Sequence, residues 1–269
     1  MQVILANIMA IYRRELQSYF ASPLAYAIAC VFWIISGLFF VYILLDPQQG
    51  LIAQVAFRDQ QLAANAPPID ITYTFQQLFL GNVMSSLALF VLPMLSMGLY
   101  AEERKRGTLE LLATSPITNW SVAVGKLLGA LTFFIFMIAP LWLYEAIAFS
   151  SATPPVQPIV PMMGFLALIL LAASVLSLGM FISSLTDSTL LAAVFTFVLI
   201  MSLWILDLIG KSISGPIGAA LTHLSLLTHF SNLVQGIVDS SSIILFASYI
   251  ILGVFLTAQS VDTFRFQRS

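Results

Sequence analysis

Ile159-Val-Pro-Met-Met-Gly-Phe-Leu-Ala-Leu-Ile-Leu-Leu-Ala-Ala-Ser-Val-Leu-Ser-Leu-Gly-Met-Phe-Ile-Ser183 contains no charged residue. About 20 apolar residues in a helix cross the hydrocarbon core of a bilayer, so this run predicts a transmembrane helix. Five further runs qualify, at about 24–45, 81–100, 127–149, 189–209 and 243–260. A single chain that crosses lipid must satisfy its backbone within each segment. The reading is therefore an all-α integral membrane protein with six transmembrane helices in one domain, 1–269.

Composition supports this. The 269-residue chain is 60% hydrophobic and 8% charged, whereas soluble domains carry roughly 25% charged residues. A net charge of -2 argues against a general nucleic-acid surface. Cys30 is the one cysteine, so neither an internal disulfide nor a CxxC metal site is possible. Arg13 and Arg14 sit in the middle of residues 1–20, and the long apolar run starts only at Leu24; a cleavable signal peptide is not expected.

Orientation follows from the basic residues. With the N-terminus in the cytosol, Arg13, Arg14, Arg104, Lys105, Arg106, Lys126, Arg265 and Arg268 lie inside, and Arg58 and Lys211 outside, together the 10 of the chain. Both termini are then cytoplasmic. Ile4, Ile8, Ile11, Tyr12, Leu16 and Tyr19 recur near helical spacing within 1–22, which predicts an amphipathic helix in the inner headgroup layer, ended by Pro23. The outer loop 46–80 is polar. Residues 210–242 carry Leu221, Leu224 and Leu227 at helical spacing and read as one or two short re-entrant helices. Residues 150–158, with three prolines, and 183–188 are tight turns.

No catalytic constellation is present. His223 and His229 are six residues apart, off the i, i+4 spacing of a zinc pair, and fit helix caps or outer-interface positions. Gly210-Lys211-Ser212 fails as a phosphate loop because position 205 is Ile205. ATP chemistry must then come from another subunit. Glu145 and Asp207 lie about one turn from the outer ends of their helices and read as side chains reaching the outer interface. With no charge at any midpoint, a path for lipid-like, amphipathic or large substrates fits better than an ion-coupled carrier. Gly125 and Gly129 form a GxxxG, equally suited to packing within one subunit or to dimerisation. Pro93 and Pro140 should kink their spans.

The most informative inward segment is Ala101-Glu-Glu-Arg-Lys-Arg-Gly-Thr-Leu-Glu-Leu-Leu-Ala-Thr-Ser-Pro116, within a loop read as 101–126. Gly107 breaks the charge run, and Thr108 can cap a short helix with Glu110 in its first turn. Leu109, Leu111, Leu112 and Ala113 follow, and Ser115-Pro116 stops it. Such a helix either lies flat on the inner leaflet or docks into a cytosolic partner.

This segment, with Trp120 and Gly125-Lys126, resembles the ABC-2 type permease family and is similar to its gliding-motility and nitrous-oxide-cluster branch. Glu15-Leu-Gln-Ser-Tyr-Phe-Ala-Ser-Pro-Leu-Ala-Tyr26, Ser36-Gly37-Leu38-Phe39-Phe40, Ile182-Ser183-Ser184-Leu185-Thr186, Thr228-His229-Phe230, Gly236 and Asp239 agree in order. Gln235, where the family often has a basic residue, and the short tail Arg265–Arg268 depart from it. The resemblance implies a half-transporter of the bacterial inner membrane that pairs with a second copy or a related permease. It also implies ABC ATPase subunits carrying ATP and magnesium, with no cofactor bound directly by this chain. It places the ATPase contact on Glu102, Glu103, Arg106, Gly107, Thr108, Leu109, Glu110, Leu111, Leu112, Ser115 and Pro116. Export is the expected activity. The alternative is an anchor that transmits mechanical work to periplasmic partners. An intramembrane enzyme lacks support, since no paired intramembrane aspartates, Ser/Lys dyad or HExxH occurs.

Overall fold

The structure, a computed structural model, describes residues 2–61, 71–109, 117–149 and 159–266. Its elements are α1 (Gln2–Ala21), α2 (Pro23–Leu45), α3 (Leu51–Gln61), α4 (Tyr73–Lys105), α5 (Asn119–Phe149), α6 (Ile159–Leu185), α7 (Thr189–Ser212), α8 (Pro216–His223), α9 (Leu226–Val234) and α10 (Ser240–Phe266). Six of these helices are long and apolar enough to cross a membrane: α2, α4, α5, α6, α7 and α10 up to Thr263. The structure is all-helical across the described residues. Residues 150–158, expected to be a tight turn, lie outside them.

Local chemistry sets several boundaries. Ser22 caps α2 by accepting the Ala25 N–H, and Pro23 follows at the first helical position, where its missing N–H costs nothing. Ser188 caps α7 at the Leu191 N–H, and Ser225 caps α9 at the Thr228 N–H. Gly215 enters α8 at φ 109°, a conformation that other residues avoid.

α6 is the central helix and packs most extensively against α10. Their closeness comes from small residues. The Ser174 hydroxyl lies 3.3 Å from the Phe246 carbonyl and the Ser177 hydroxyl 3.3 Å from that of Tyr249. A Cβ on Gly253 would come within 2.6 Å of the Ser177 backbone. The hydroxyls also bond carbonyls of their own helix, Leu170 and Ser174, so no polar atom is stranded by the approach. Elsewhere the core is aromatic. Phe40 of α2 stacks on Tyr144 at 4.9 Å and meets Phe75 and Phe79 edge-on at 5.9 and 6.1 Å.

Those contacts correct the expected second span. It begins well before residue 81, because Phe75, Phe79 and Leu80 are fully buried and keep the chain helical through a π-helical stretch, Gln77–Met84. Polar Gln76 and Gln77 hid this from hydropathy. The loop 46–80 likewise contains α3, whose Leu51 is buried. The Asp46 carboxylate accepts the Gln48 and Gln49 N–H groups at 2.9 and 2.7 Å and shapes the turn into it. The loop 101–126 is also shorter than expected: α4 runs to Lys105 and α5 starts at Asn119, whose amide bonds Asp262 of α10 at 2.5 Å.

Residues 210–242 contain two short helices, α8 and α9. Leu226, Phe230, Leu233 and Val234 of α9 are buried, and its main neighbour is α6. His229, expected as a cap or interface residue, is instead buried and polar-linked. Its Nε2 lies 3.0 Å from the His223 carbonyl and its Nδ1 2.8 Å from the Ser242 hydroxyl. The carbonyl requires a proton on Nε2, and in the neutral ring Nδ1 then accepts from Ser242.

Candidate functional site at the charged end

Pro93 lies inside α4 and removes the N–H that would have bonded the Leu89 carbonyl, and the helix is irregular at Met97, although Met97 keeps α backbone angles and its N–H bonds the Pro93 carbonyl. Around this irregular turn, side chains from three other helices bond the backbone of α4. The Ser183 hydroxyl of α6 donates to the Met97 carbonyl at 2.8 Å and accepts the Tyr100 and Ala101 N–H groups at 3.1 and 3.0 Å. The Tyr19 hydroxyl of α1 donates to the Leu95 carbonyl at 2.5 Å. Lys126 of α5 donates to the Leu99 carbonyl at 2.6 Å.

Lys126 is 3% exposed, and its ammonium has three donors. The other two meet Glu15 of α1 at 3.2 Å and Glu103 of α4 at 3.1 Å. The ammonium also stands 5.0 Å above the Tyr100 ring, and Arg14 adds a longer contact of 3.7 Å to Glu103. Burial, with Glu15 and Glu102 nearby, raises the Tyr19 phenol well above its ordinary pKa, so it remains a donor.

The cluster depends on the approach of α1 to α5. A Cβ on Gly125 would lie 2.8 Å from Ile11, and one on Gly129 would lie 2.8 Å from Glu15. The GxxxG is thus filled by this chain's own first helix. The packed face of α1 runs through Asn7, Ile8, Ile11, Glu15 and Tyr19, while Val3, Ile4, Leu5 and Met9 are exposed. Ile4 therefore lies off the face on which sequence spacing grouped it, and Asn7 lies on the packed side. A cavity of about 370 Å³ opens between the α1–α2 elbow and α4, bordered by Glu15, Ser22, Leu95, Glu102 and Arg106.

The expected partner-contact residues divide across this end. Glu102 and Arg106 are exposed and pair at 3.4 Å. Glu103 belongs to the Lys126 cluster. Gly107 turns the chain at φ 70°. The Thr108 hydroxyl donates back to the Glu103 carbonyl at 3.2 Å, and Leu109 is buried. Glu110, Leu111, Leu112, Ser115 and Pro116 lie outside the described residues. Arg104, beside them in sequence, donates to the Ser184 carbonyl at 3.1 Å. The root of the segment is thus tied to α4, α5, α6 and α1. Reasoning from sequence counted Lys126 only among the basic residues of the inner side; its apolar neighbours Val124, Leu127 and Leu128 were the available sign of burial.

The opposite end corrects two more expectations. Glu145 and Asp207, read as reaching an interface, are each 3% exposed. Asp207 bonds Lys211 at 2.7 Å and Thr228 of α9 at 2.6 Å, so packing of α9 over α7 covers it. Glu145 lines a cavity between α5 and α6. Among the described residues, no group of three or more His, Cys, Asp or Glu side chains could hold a metal ion.

Residues 9–268 match the family model described as ABC-2 family transporter protein. No curated protein matches the chain.

Proposed function

The chain belongs to the ABC-2 transporter family, and from that premise we propose that its charged end couples a partner ATPase to the helix bundle. It is a membrane permease subunit of an ABC transporter, and the family implies partnership with an ABC ATPase subunit. The observation that carries the coupling reading is the tethering of α4. A push on residues 106–116 reaches Glu103 and Leu99 directly, and through Lys126, Ser183 and Tyr19 it reaches α5, α6 and α1.

In this reading Glu102, Arg106 and the segment beyond Gly107 meet the ATPase. Glu110 faces a basic patch on it, and Leu111 and Leu112 provide the apolar anchor. The charged end lies in the cytoplasm, since Arg13, Arg14, Arg104, Lys105, Arg106 and Lys126 gather there. The membrane is the bacterial inner membrane, and α1 lies along its inner leaflet with Val3, Ile4, Leu5 and Met9 toward lipid. A second permease completes the path, and the direction is export. The buried charges stand near the two ends of the bundle, which favours an amphipathic substrate over an ion.

The test is co-purification with the ATPase. Burying a leucine contributes roughly 1.5–3 kcal/mol, so losing one anchor weakens binding about thirtyfold. Leu111→Asp or Glu110→Arg should insert normally and lose the ATPase in mild detergent. Retention of the ATPase in normal proportion by both variants overturns the coupling role.

A further inference from the structure

Glu145 is buried, and its Oε1 has no hydrogen-bond partner. A buried acceptor left unmade is costly, and on a helix that could have placed leucine there, it asks for a donor from elsewhere. Glu145 borders a cavity of about 290 Å³ between the end of α5 and the start of α6. Its other walls are apolar and largely aromatic: Trp142, Phe149 and Phe165, with Met162 and Pro161. Trp142 and Phe165 pack at 5.0 Å. Trp142 and Met162 are each 52% exposed, so the rim is open on the outer surface of the helix pair.

We propose that this cavity is a binding site for a small amphipathic amine, whose ammonium group meets Glu145 and whose apolar body lies against Trp142, Phe149 and Phe165. The chemistry selects the class. Among the described residues Glu145 is the only charged one bordering the cavity, and residues 150–158, which join its two helices in sequence, contain none. An anion would therefore meet a carboxyl and ring faces with no cation to offset them. A purely apolar guest would offer the carboxyl group no donor. An ammonium supplies one in a charge-assisted bond, and aromatic faces favour a cation beside them. The volume suits an amine of about a dozen non-hydrogen atoms, near the lower end of ligand pockets. The site stands at the end of the bundle opposite Lys126, so it is independent of whether residues 106–116 contact an ATPase.

The probe pair is amino-TEMPO and hydroxy-TEMPO, which share one ring and one tryptophan-quenching nitroxide and differ in the ammonium. The full chain in neutral phosphatidylcholine nanodiscs is titrated with each, and Trp142→Phe identifies the quenching that belongs to this cavity. The expected result is saturable, Trp142-dependent quenching by the amine. Glu145→Gln should weaken it about tenfold or more, while quenching by the alcohol is weaker and indifferent to that change. Equal curves for amine and alcohol on the parent protein overturn the proposal, even if Glu145→Gln fails to fold. So does an unchanged amine curve in a folded Glu145→Gln protein, or quenching that survives in Trp142→Phe.

Discussion

Lys126 and Glu145 stand on the same helix, each 3% exposed, and are held in opposite ways. Around Lys126, two other helices have converged: Glu15 from α1, and Glu103, the Leu99 carbonyl and the Tyr100 ring from α4. Around Glu145 there is an apolar cavity and an oxygen with nothing to bond. Asp207 is intermediate, paired to Lys211 on its own helix and to Thr228 across a helix contact. Equal burial thus carries different meanings. A charge enclosed by opposite charges from distant parts of the chain fixes helix positions. A carboxyl enclosed by hydrocarbon lowers stability, which points to a use.

The largest test of this contrast is Lys126→Met. Removing one member of a buried ionic group typically costs about 3–5 kcal/mol, because its partners are left uncompensated. Heating in detergent, followed by helical circular dichroism, should show that loss. Adding Glu15→Gln and Glu103→Gln to the same chain should recover much of it. A single variant as stable as the parent would mean the cluster is ornamental.

Glu145→Leu should do the reverse. Exchanging an unsatisfied buried carboxyl for an apolar side chain removes a desolvation penalty, so the same melt should be unchanged or improved by about 1 kcal/mol. A loss as large as that of Lys126→Met would reveal a hidden structural partner and collapse the distinction.

The smallest effect belongs to an exposed carboxylate. Backbone N–H bonds from Gln49 and Gln48 hold the Asp46 pKa below its ordinary 3.8. A lowered folded-state value contributes stability that is present above the unfolded pKa and lost as pH falls through the folded one. The difference in melting between the parent and Asp46→Ala should therefore be visible near neutrality and vanish in strong acid. A difference that grows on acidification has the wrong sign for this cap.

The spans were legible because hydropathy is local. Runs such as 159–183, which has no charge, and 189–209, which has only Asp207, need only their own composition to be recognised, and α8 and α9 were readable from leucines at helical spacing. The start of α4 was not, because Gln76 and Gln77 resemble a loop until Phe40 and Tyr144 are known to pack beside Phe75 and Phe79. Lys126 read only as an inner-side basic residue for the same reason. Its partners Glu15 and Glu103 are 111 and 23 positions away in the chain, and nothing in a single sequence joins them. Of the candidate site, the segment from Glu102 onward was recognisable by charge and glycine. Its tethering through Ser183 and Tyr19 joins side chains of α6 and α1 to backbone groups of α4, contacts that exist only once the helices are placed in space.

The glycine groove on α5 has a consequence for the order in which the chain takes shape. α1 is made before α2 and α4, yet its seat at Gly125 and Gly129 and its counter-ion Lys126 are made only after them. Throughout that interval α1 has Ile11 and Glu15 without their places. α1 thus reaches its final position only when α5 exists, and its docking reports that the third span has arrived.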